Sequence, residues 1–274
     1  MKNQFVKTVV FTTSASAAAV GGVVVGYGYA LGFTKTNVLC RCSESSDCLN
    51  KSYVNKETYD RIANKFDQEL EFSERMSGIK VLRDLLIRER VKGKDVLEVM
   101  CGTGRNIEAG LRYARSVVLA DVSENMVNEA KRKMEERTME NGSKVMVEIG
   151  DSRKMMYKSE SFDCVVDTFG LCSTSEPELV LREMFRVCRK GGYVLLLEHG
   201  RPAKGTVHDY WLSNILDAHA QKHEMKWGCA WNKDIEKIVK DAMGKAESNN
   251  LEMELERFDR WHFGTTSYVV LRRK

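Results

Sequence analysis

Proline is almost missing from this 274-residue chain: Pro177 and Pro202 are the only two. Long Pro-rich spacers are thereby excluded. No internal repeat occurs, which excludes solenoids and propellers. No low-complexity tract extends beyond an N-terminal run of small residues. Neither sign of charge dominates, since 43 Lys and Arg face 39 Asp and Glu for a net +4. That is short of the basic density that by itself points to nucleic acid. With 43% hydrophobic and 30% charged residues, the composition is that of a globular protein, long enough for one α/β domain plus an appendage.

Charge is absent from Thr8 to Thr34, 27 positions flanked by Lys2, Lys7 and Lys35. As a helix that span would reach about 40 Å, enough to cross a bilayer. It is rich in Ala, Gly, Ser, Thr and Val rather than Leu, and Gly22-x-x-x-Gly26 and Gly28-x-x-x-Gly32 have the spacing of closely packed membrane helices. A membrane anchor is expected, with a cleaved signal or transit peptide as the alternative. A mitochondrial presequence should be Arg-rich, yet no arginine precedes Arg41. The organisation expected is a short basic N-terminus (1–7), the uncharged segment (8–34), a polar linker (35–51) and a soluble domain (52–274).

Of the eight cysteines, Cys40, Cys42 and Cys48 fall in the linker. A Cys-x-Cys plus one more could bind metal or form a disulfide, but unpaired linker thiols are the favoured reading, because a zinc site needs a fourth ligand at regular spacing and none is evident. Cys101, Cys164, Cys172 and Cys188 sit in or beside expected strands and helices as small apolar residues. No metal ligand set is assigned.

Helical spacing of apolar residues predicts helices over 56–71 and 75–91. Strands are expected at 95–100, 117–121, 144–149, 162–168 and 193–198, alternating with helices at 106–114, 124–139 and 176–188. Ser175 is the expected cap of the last, with Pro177 in its first turn and Glu178 completing a capping box. Gly191-Gly192 is expected to turn the chain into the next strand. Strands alternating with helices imply a parallel sheet covered on both faces. After Gly200 two helices, 209–222 and 234–243, precede a β-hairpin formed by 252–258 and 266–271.

The segment Asp95-Val-Leu-Glu-Val-Met-Cys-Gly-Thr-Gly-Arg-Asn106 reads as an apolar strand carrying one acid, Glu98, that runs into a Gly-x-Gly turn. Glycines let the backbone approach a ligand there, and a following helix offers unpaired N–H groups. The third glycine of a dinucleotide site is missing, since Arg105-Asn106-Ile107 follows Gly104. A carboxylate just before the turn suits a cationic ligand better than a pyrophosphate. Both features favour S-adenosylmethionine (SAM), whose amino-acid end carries an ammonium, over NAD. Ligands of such sheets bind outside the carboxyl ends of the strands. There the second strand supplies Asp121, 17 residues past Gly104, to accept from ribose hydroxyls, while Ser123 is free to cap the next helix. The third strand ends in Asp151-Ser152, with Asp151 an acceptor for the adenine amino group. The fourth ends in Asp167-Thr168-Phe169-Gly170, behind the methyl donor.

These segments resemble class I SAM-dependent methyltransferases of the ubiquinone/menaquinone-biosynthesis type, from about Tyr59 to Arg272. Val96-Leu-Glu-Val-Met-Cys-Gly-Thr-Gly104 is similar to that family's cofactor loop and Asp121-Val-Ser-Glu-Asn-Met126 to its second-strand motif. Phe162-Asp-Cys-Val-Val166 and Glu183-Met-Phe-Arg-Val-Cys-Arg-Lys-Gly-Gly192 match further. Tyr59-Asp-Arg-Ile-Ala-Asn-Lys-Phe-Asp67 resembles the helix that lies over the cofactor. Asp167-Thr-Phe-Gly-Leu-Cys-Ser173, Leu196-Leu-Glu-His-Gly-Arg201 and Gly228-Cys-Ala-Trp-Asn-Lys-Asp-Ile235 look like a membrane-anchored, methyltransferase-like subgroup of mitochondria, lipid droplets and the endoplasmic reticulum. Met100 stands where the family often has glycine, and Lys190 where proline often precedes the Gly-Gly turn.

The resemblance implies a mostly parallel seven-stranded Rossmann-like sheet with an antiparallel C-terminal hairpin. It implies SAM as cofactor, with contacts from Tyr59, Glu98, Cys101, Gly102, Gly104, Asn106, Asp121, Val122, Met126, Asp151, Ser152 and Asp167. The acceptor implied is small and lipophilic, a quinone precursor, lipid or thiol. His199 is the candidate base for its acidic proton, with a loop-bracing hydrogen bond as its other reading. Cys172 is a candidate lining residue, and Trp211, Trp227 and Trp231 form a candidate apolar cover. Location at the mitochondrial inner membrane is expected ahead of the endoplasmic reticulum. The alternatives are an RNA or protein methyltransferase and a non-catalytic SAM-binding assembly factor. Against nucleic acid, the fourth strand lacks the Asp/Asn-Pro-Pro-aromatic signature used on exocyclic amines, and neither proline precedes a cysteine.

Overall fold

Strands β1 (Asp95–Val99), β2 (Ser116–Asp121), β3 (Lys144–Ile149), β4 (Phe162–Thr168), β5 (Cys188–His199), β6 (Met253–Trp261) and β7 (Thr266–Arg273) form one sheet in the order β3-β2-β1-β4-β5-β7-β6. The first five run parallel, and β7 inserts antiparallel between β5 and β6. This is the expected sheet, hairpin included. The computed structural model describes residues 51–135 and 144–274. The expectations for the segment 8–34, the linker residues up to 50, Cys40, Cys42 and Cys48 lie outside the described residues, as does the end of the helix expected over 124–139. Among the described residues no helix is long and apolar enough to cross a membrane.

Helices α1 (Lys51–Ser77), α2 (Ile79–Val91), α3 (Glu124–Glu135), α4 (Pro177–Val187), α5 (Val207–Trp227) and α6 (Ile235–Glu247) surround the sheet. Its strands are apolar on both faces because both are covered. On β4 and β5, Val165, Val194 and Leu196 meet Leu181, Met184 and Phe185 of α4 and Val239 of α6. The intervening Cys164, Val166 and Leu195 meet Leu82, Leu86 and Ile87 of α2. Each fully buried Leu, Phe or Met contributes about 1.5–3 kcal/mol relative to exposure. A third cluster sits past the carboxyl ends of the strands, where Ile62 and Ala63 of α1 and Leu216 and Trp227 of α5 enclose Met126, Cys172, Cys229 and Trp231.

Four local expectations are corrected. The helix expected over 106–114 is two single 3-10 turns, Arg105–Ile107 and Leu111–Tyr113. Gly110 interrupts it at φ 131°, pressed so close to α2 that a Cβ would lie 3.0 Å from the Arg88 nitrogen. Ser175 does not cap α4: Glu176 is the N-cap, without a side-chain bond, and Glu178 pairs with Lys245 instead. Gly191-Gly192 lies inside β5 rather than before it, and a Cβ at 192 would lie 2.7 Å from the Asp163 carbonyl oxygen. The first helix runs past Glu71 to Ser77 and breaks at Gly78, whose φ is 78°.

Gly110→Ala should therefore lower stability by about 2–3 kcal/mol, from backbone strain plus overpacking. Gly205→Ala, with φ 78° but nothing within 4 Å, should cost about 1 kcal/mol from strain alone. Urea unfolding midpoints of the two variants measure the difference.

Candidate active site

A cavity of about 420 Å³ opens where the strand order reverses between β1 and β4, at the carboxyl ends of the strands, as expected for an open α/β sheet. Tyr59, Glu98, Cys101, Gly102, Asp121, Val122, Asp151, Ser152 and His199 all line it. The β1 tip is held by its neighbour. Asp121 Oδ2 accepts from the Gly102 N–H at 2.8 Å, and Oδ1 from the Ser123 N–H at 2.9 Å. Ser123 Oγ in turn accepts from the Met126 N–H at 3.2 Å and caps α3, so the cap falls to Ser123, leaving Asp121 at the cavity wall. Burial pushes the Asp121 carboxyl above its ordinary range.

Glu98 Oε1 accepts from Asn106 Nδ2 at 2.7 Å, while Oε2 is buried and finds no hydrogen-bond partner among the described residues. Burial raises its pKa to about 8. Such an oxygen suits the ammonium of an amino-acid ligand: a buried unpaired acceptor is costly, and a cation would satisfy it. The residues present thus fit SAM.

Four expected contacts do not line this cavity. Asn106 stands behind Glu98, also donating to Thr168 Oγ1 at 2.8 Å, so it positions the carboxylate. Met126 is fully buried in the third cluster. Gly104 faces a second hollow under Asp67 and Arg105. Asp167 is buried and accepts from the Gly170 and Leu171 N–H groups at 3.1 and 3.0 Å, shaping the β4 loop. Burial and the Glu198 carboxylate hold the Asp167 pKa well above the usual range. Asp151 does line the cavity, but Arg153 grips both its oxygens, through Nε at 3.0 Å and Nη2 at 2.7 Å. That pair holds the carboxyl below its ordinary value.

Helix α1 walls the cavity with Tyr59, Phe66, Leu70 and Glu74. Three acids fasten it. Asp60 accepts from Ser123 Oγ at 2.6 Å and from the Asn125 N–H at 3.2 Å, at the positive end of α3. Asp67 takes Thr103 Oγ1 at 2.6 Å, Arg105 Nη1 at 3.0 Å and Lys133. Glu74 takes Arg83 Nη2 at 2.8 Å and Arg105 Nη2 at 2.6 Å. Tyr59 hydrogen bonds to Ser173 Oγ at 2.7 Å, and its ring packs so tightly on Gly228 that a Cβ there would come within 2.7 Å.

His199 also lines the cavity, its ring tilted 35° against that of Phe169 with centroids 4.3 Å apart. Its Nδ1 lies 3.5 Å from Cys229 Sγ, which lies 3.2 Å from Cys172 Sγ. The Cys172 hydrogen bond, aided by His199, holds the Cys229 thiol well below its ordinary value, while burial raises that of Cys172. Cys172 itself does not line the cavity. Trp227 and Trp231 do, but Trp211 is exposed on the far side of α5.

Sequence comparison agrees with this geometry. Residues 48–220 match the model of the ubiE/COQ5 methyltransferase family. The chain belongs to this family. It is 30% identical over 230 residues to the mitochondrial methyltransferase OMS1 of Saccharomyces cerevisiae, covering 79% of this chain and 45% of that protein. It is 29% identical over 139 residues to the ubiquinone/menaquinone biosynthesis C-methyltransferase UbiE of Idiomarina loihiensis, covering 47% and 53%. The chain thus spans about half the length of these relatives. A solved SAM-dependent methyltransferase of Thermotoga maritima superposes with a TM-score of 0.57 at 18% identity, covering 80% of this chain and 99% of that one. At that identity the likeness carries the fold.

Two further residues line the cavity of this ubiE/COQ5 member: Met100, singled out in the sequence, and Arg83, which escaped sequence reading. Met100 adopts φ 50°, a left-handed conformation that glycine takes without strain. The departure expected at Met100 thus coincides with a strained backbone position at the cavity wall. Arg83, buried over Phe169 at 5.2 Å, lies in a helix whose pattern gave no reason to single it out.

Glu98, Asp121 and Asp167 hold their protons in the folded chain at pH values where the unfolded chain has lost them. The folded state then binds more protons, so stability falls as pH rises. The melting temperature of ligand-free protein should drop between pH 5 and 8, and Glu98→Gln should remove part of that slope, as calorimetric scans across the range would reveal.

Proposed function

We propose that this protein is a SAM-dependent methyltransferase that acts on a small, lipophilic, quinone-type acceptor. The observation that carries the reading is Glu98. Its buried, unpartnered oxygen lines a strand-tip cavity beside a Gly-x-Gly turn and beside Asp121 on the next strand. Glu98 takes the ammonium of SAM and Asp121 the ribose hydroxyls. Asp151 and Ser152 flank the adenine, with Arg153 fixing the Asp151 carboxylate.

Bound there, SAM supplies a sulfonium methyl for in-line attack. The chain contributes orientation and a wall that excludes water. Phe66, Leu70, Leu216, Trp227 and Trp231 give the acceptor side an apolar lining, which suits a hydrophobic ring. His199, in the lining of the same cavity, takes the acidic proton of a phenol or of an activated ring carbon. The relative UbiE supports the acceptor class through its name. OMS1 supports a mitochondrial site in the same way. Membrane association rests on the uncharged segment 8–34. The exposed Val207, Tyr210, Trp211 and Ile215 of α5 add an apolar, aromatic surface of the kind found at membrane interfaces.

The test is calorimetry with SAM, followed by mass-resolved methyl transfer to lipid extracts and demethylated quinone precursors. Asp121→Ala should weaken SAM binding by roughly 100-fold, since hydrogen bonds to charged groups contribute about 1.5–3 kcal/mol each, while circular dichroism shows the variant folded. Because Glu98 titrates near 8 when free, SAM should expel a proton on binding. Affinity should rise from pH 6 to 8, and Glu98→Gln should flatten that rise. No SAM binding by folded protein would sink the reading.

A further inference from the structure

Three donors from separate parts of the chain meet at the edge of the cavity. Cys172 comes from the loop after β4, His199 from the tip of β5, and Cys229 from the residue after Gly228, which ends α5. The two Sγ atoms and a ring nitrogen of His199 all lie within 4.8 Å of one another. We propose that Cys172, His199 and Cys229 form a zinc site with its fourth position open toward the acceptor side of the cavity.

Distances favour a metal over a disulfide. A tetrahedral zinc with Zn–S of about 2.3 Å and Zn–N of about 2.0 Å sets two sulfurs roughly 3.7 Å apart, and a sulfur and a nitrogen roughly 3.5 Å apart. Here the sulfurs are 3.2 Å apart and Cys229 Sγ is 3.5 Å from His199 Nδ1. Metal binding needs the sulfurs to part by about half an ångström, whereas a disulfide of about 2.05 Å needs them to close by more than twice that. The donor set is two sulfurs and an imidazole, which selects zinc over magnesium or calcium. Two thiolates also neutralise the ion's charge.

Each ligand is held by neighbours, as metal ligands require. The Cys172 carbonyl accepts from the Ala230 N–H at 2.9 Å, tying the two cysteine loops together. The Cys229 carbonyl is hydrogen bonded to His223 Nδ1 at 2.8 Å, and the His223 ring stacks on Trp231 at 3.7 Å. Phe169 packs its ring against that of His199. Three protein ligands with an open position is the pattern of catalytic rather than structural zinc. His199 and Cys229 line the same cavity as Glu98 and Asp121. The open position would take the acceptor's heteroatom as an anion, its proton passing to solvent, and keep it deprotonated for methyl attack. This use of the site rests on the methyltransferase reading. It makes His199 a ligand instead of a base, and the metal measurement decides between the two.

The experiment uses full-length protein in which Cys40, Cys42 and Cys48 are serine, stripped of metal under reducing conditions and titrated with Zn2+ and, separately, Co2+. One zinc per chain is expected with sub-micromolar affinity, and cobalt should give thiolate-to-metal absorption in the near ultraviolet. Cys172→Ser and Cys229→Ser should each weaken zinc at least 100-fold. His199→Ala, at a half-buried position less central to packing, should weaken it at least tenfold and serves where a cysteine variant fails to fold. No stoichiometric zinc, unchanged affinity in these variants, or a Cys172–Cys229 disulfide in the isolated protein overturns the site. Calorimetry with SAM on the same samples separates the two proposals: zinc without SAM binding sinks the methyltransferase reading alone, and SAM binding without zinc sinks the metal site alone.

Discussion

A carboxylate at the tip of β2 joins the two loops on which the cavity is built. Asp121 accepts one N–H from the glycine turn after β1 and another from the residue that caps α3. Without that bridge the turn would need another partner for its backbone, and the wall formed by Glu98 and Gly102 would lose its fixed distance from the neighbouring strand. The same side chain therefore organises the loops and faces the ligand. Its burial is tolerated because both oxygens have backbone donors.

Helix α1 completes the enclosure by charge pairing as well as by apolar packing. Burial alone would raise the Asp67 carboxyl, but Lys133, Thr103 and Arg105 hold it below its ordinary value. Arg83 and Glu74 are both nearly inaccessible, with side-chain exposures of 6%. Burying such a pair costs desolvation on both sides, so the arrangement favours a fixed position of α1 over maximal stability. The position it fixes brings Tyr59 onto Ser173 and Gly228 and gives the cavity its outer wall.

The sheet was legible in the sequence because its strands are short apolar runs separated by helical periodicity, and β3 and β4 fall on their expected bounds. The glycine turn, Glu98 and Asp121 were legible because each sits at a strand end, where topology alone decides what gathers. The departures arose where tertiary contact overrides local pattern. Gly110 breaks a helix only because α2 lies against it. Asn106 and Asp167 carry the right chemistry but spend it on Glu98 and on the β4 loop. Cys172, His199 and Cys229 converge through folding, and no spacing in the chain announces their meeting.

Met100 shows what a neighbouring void permits. Its side chain occupies space that any Cβ at position 170 would contest, at 2.7 Å from its Cε and 2.8 Å from its Cβ, and the same Cβ would strike Asp167 at 2.3 Å. Asp167 alone thus requires glycine at 170, whatever stands at 100. The dependence runs one way: glycine at 170 leaves room for a side chain at 100, where the left-handed backbone narrows the choice of residue, and a change there reshapes the cavity wall without touching the acid beneath it.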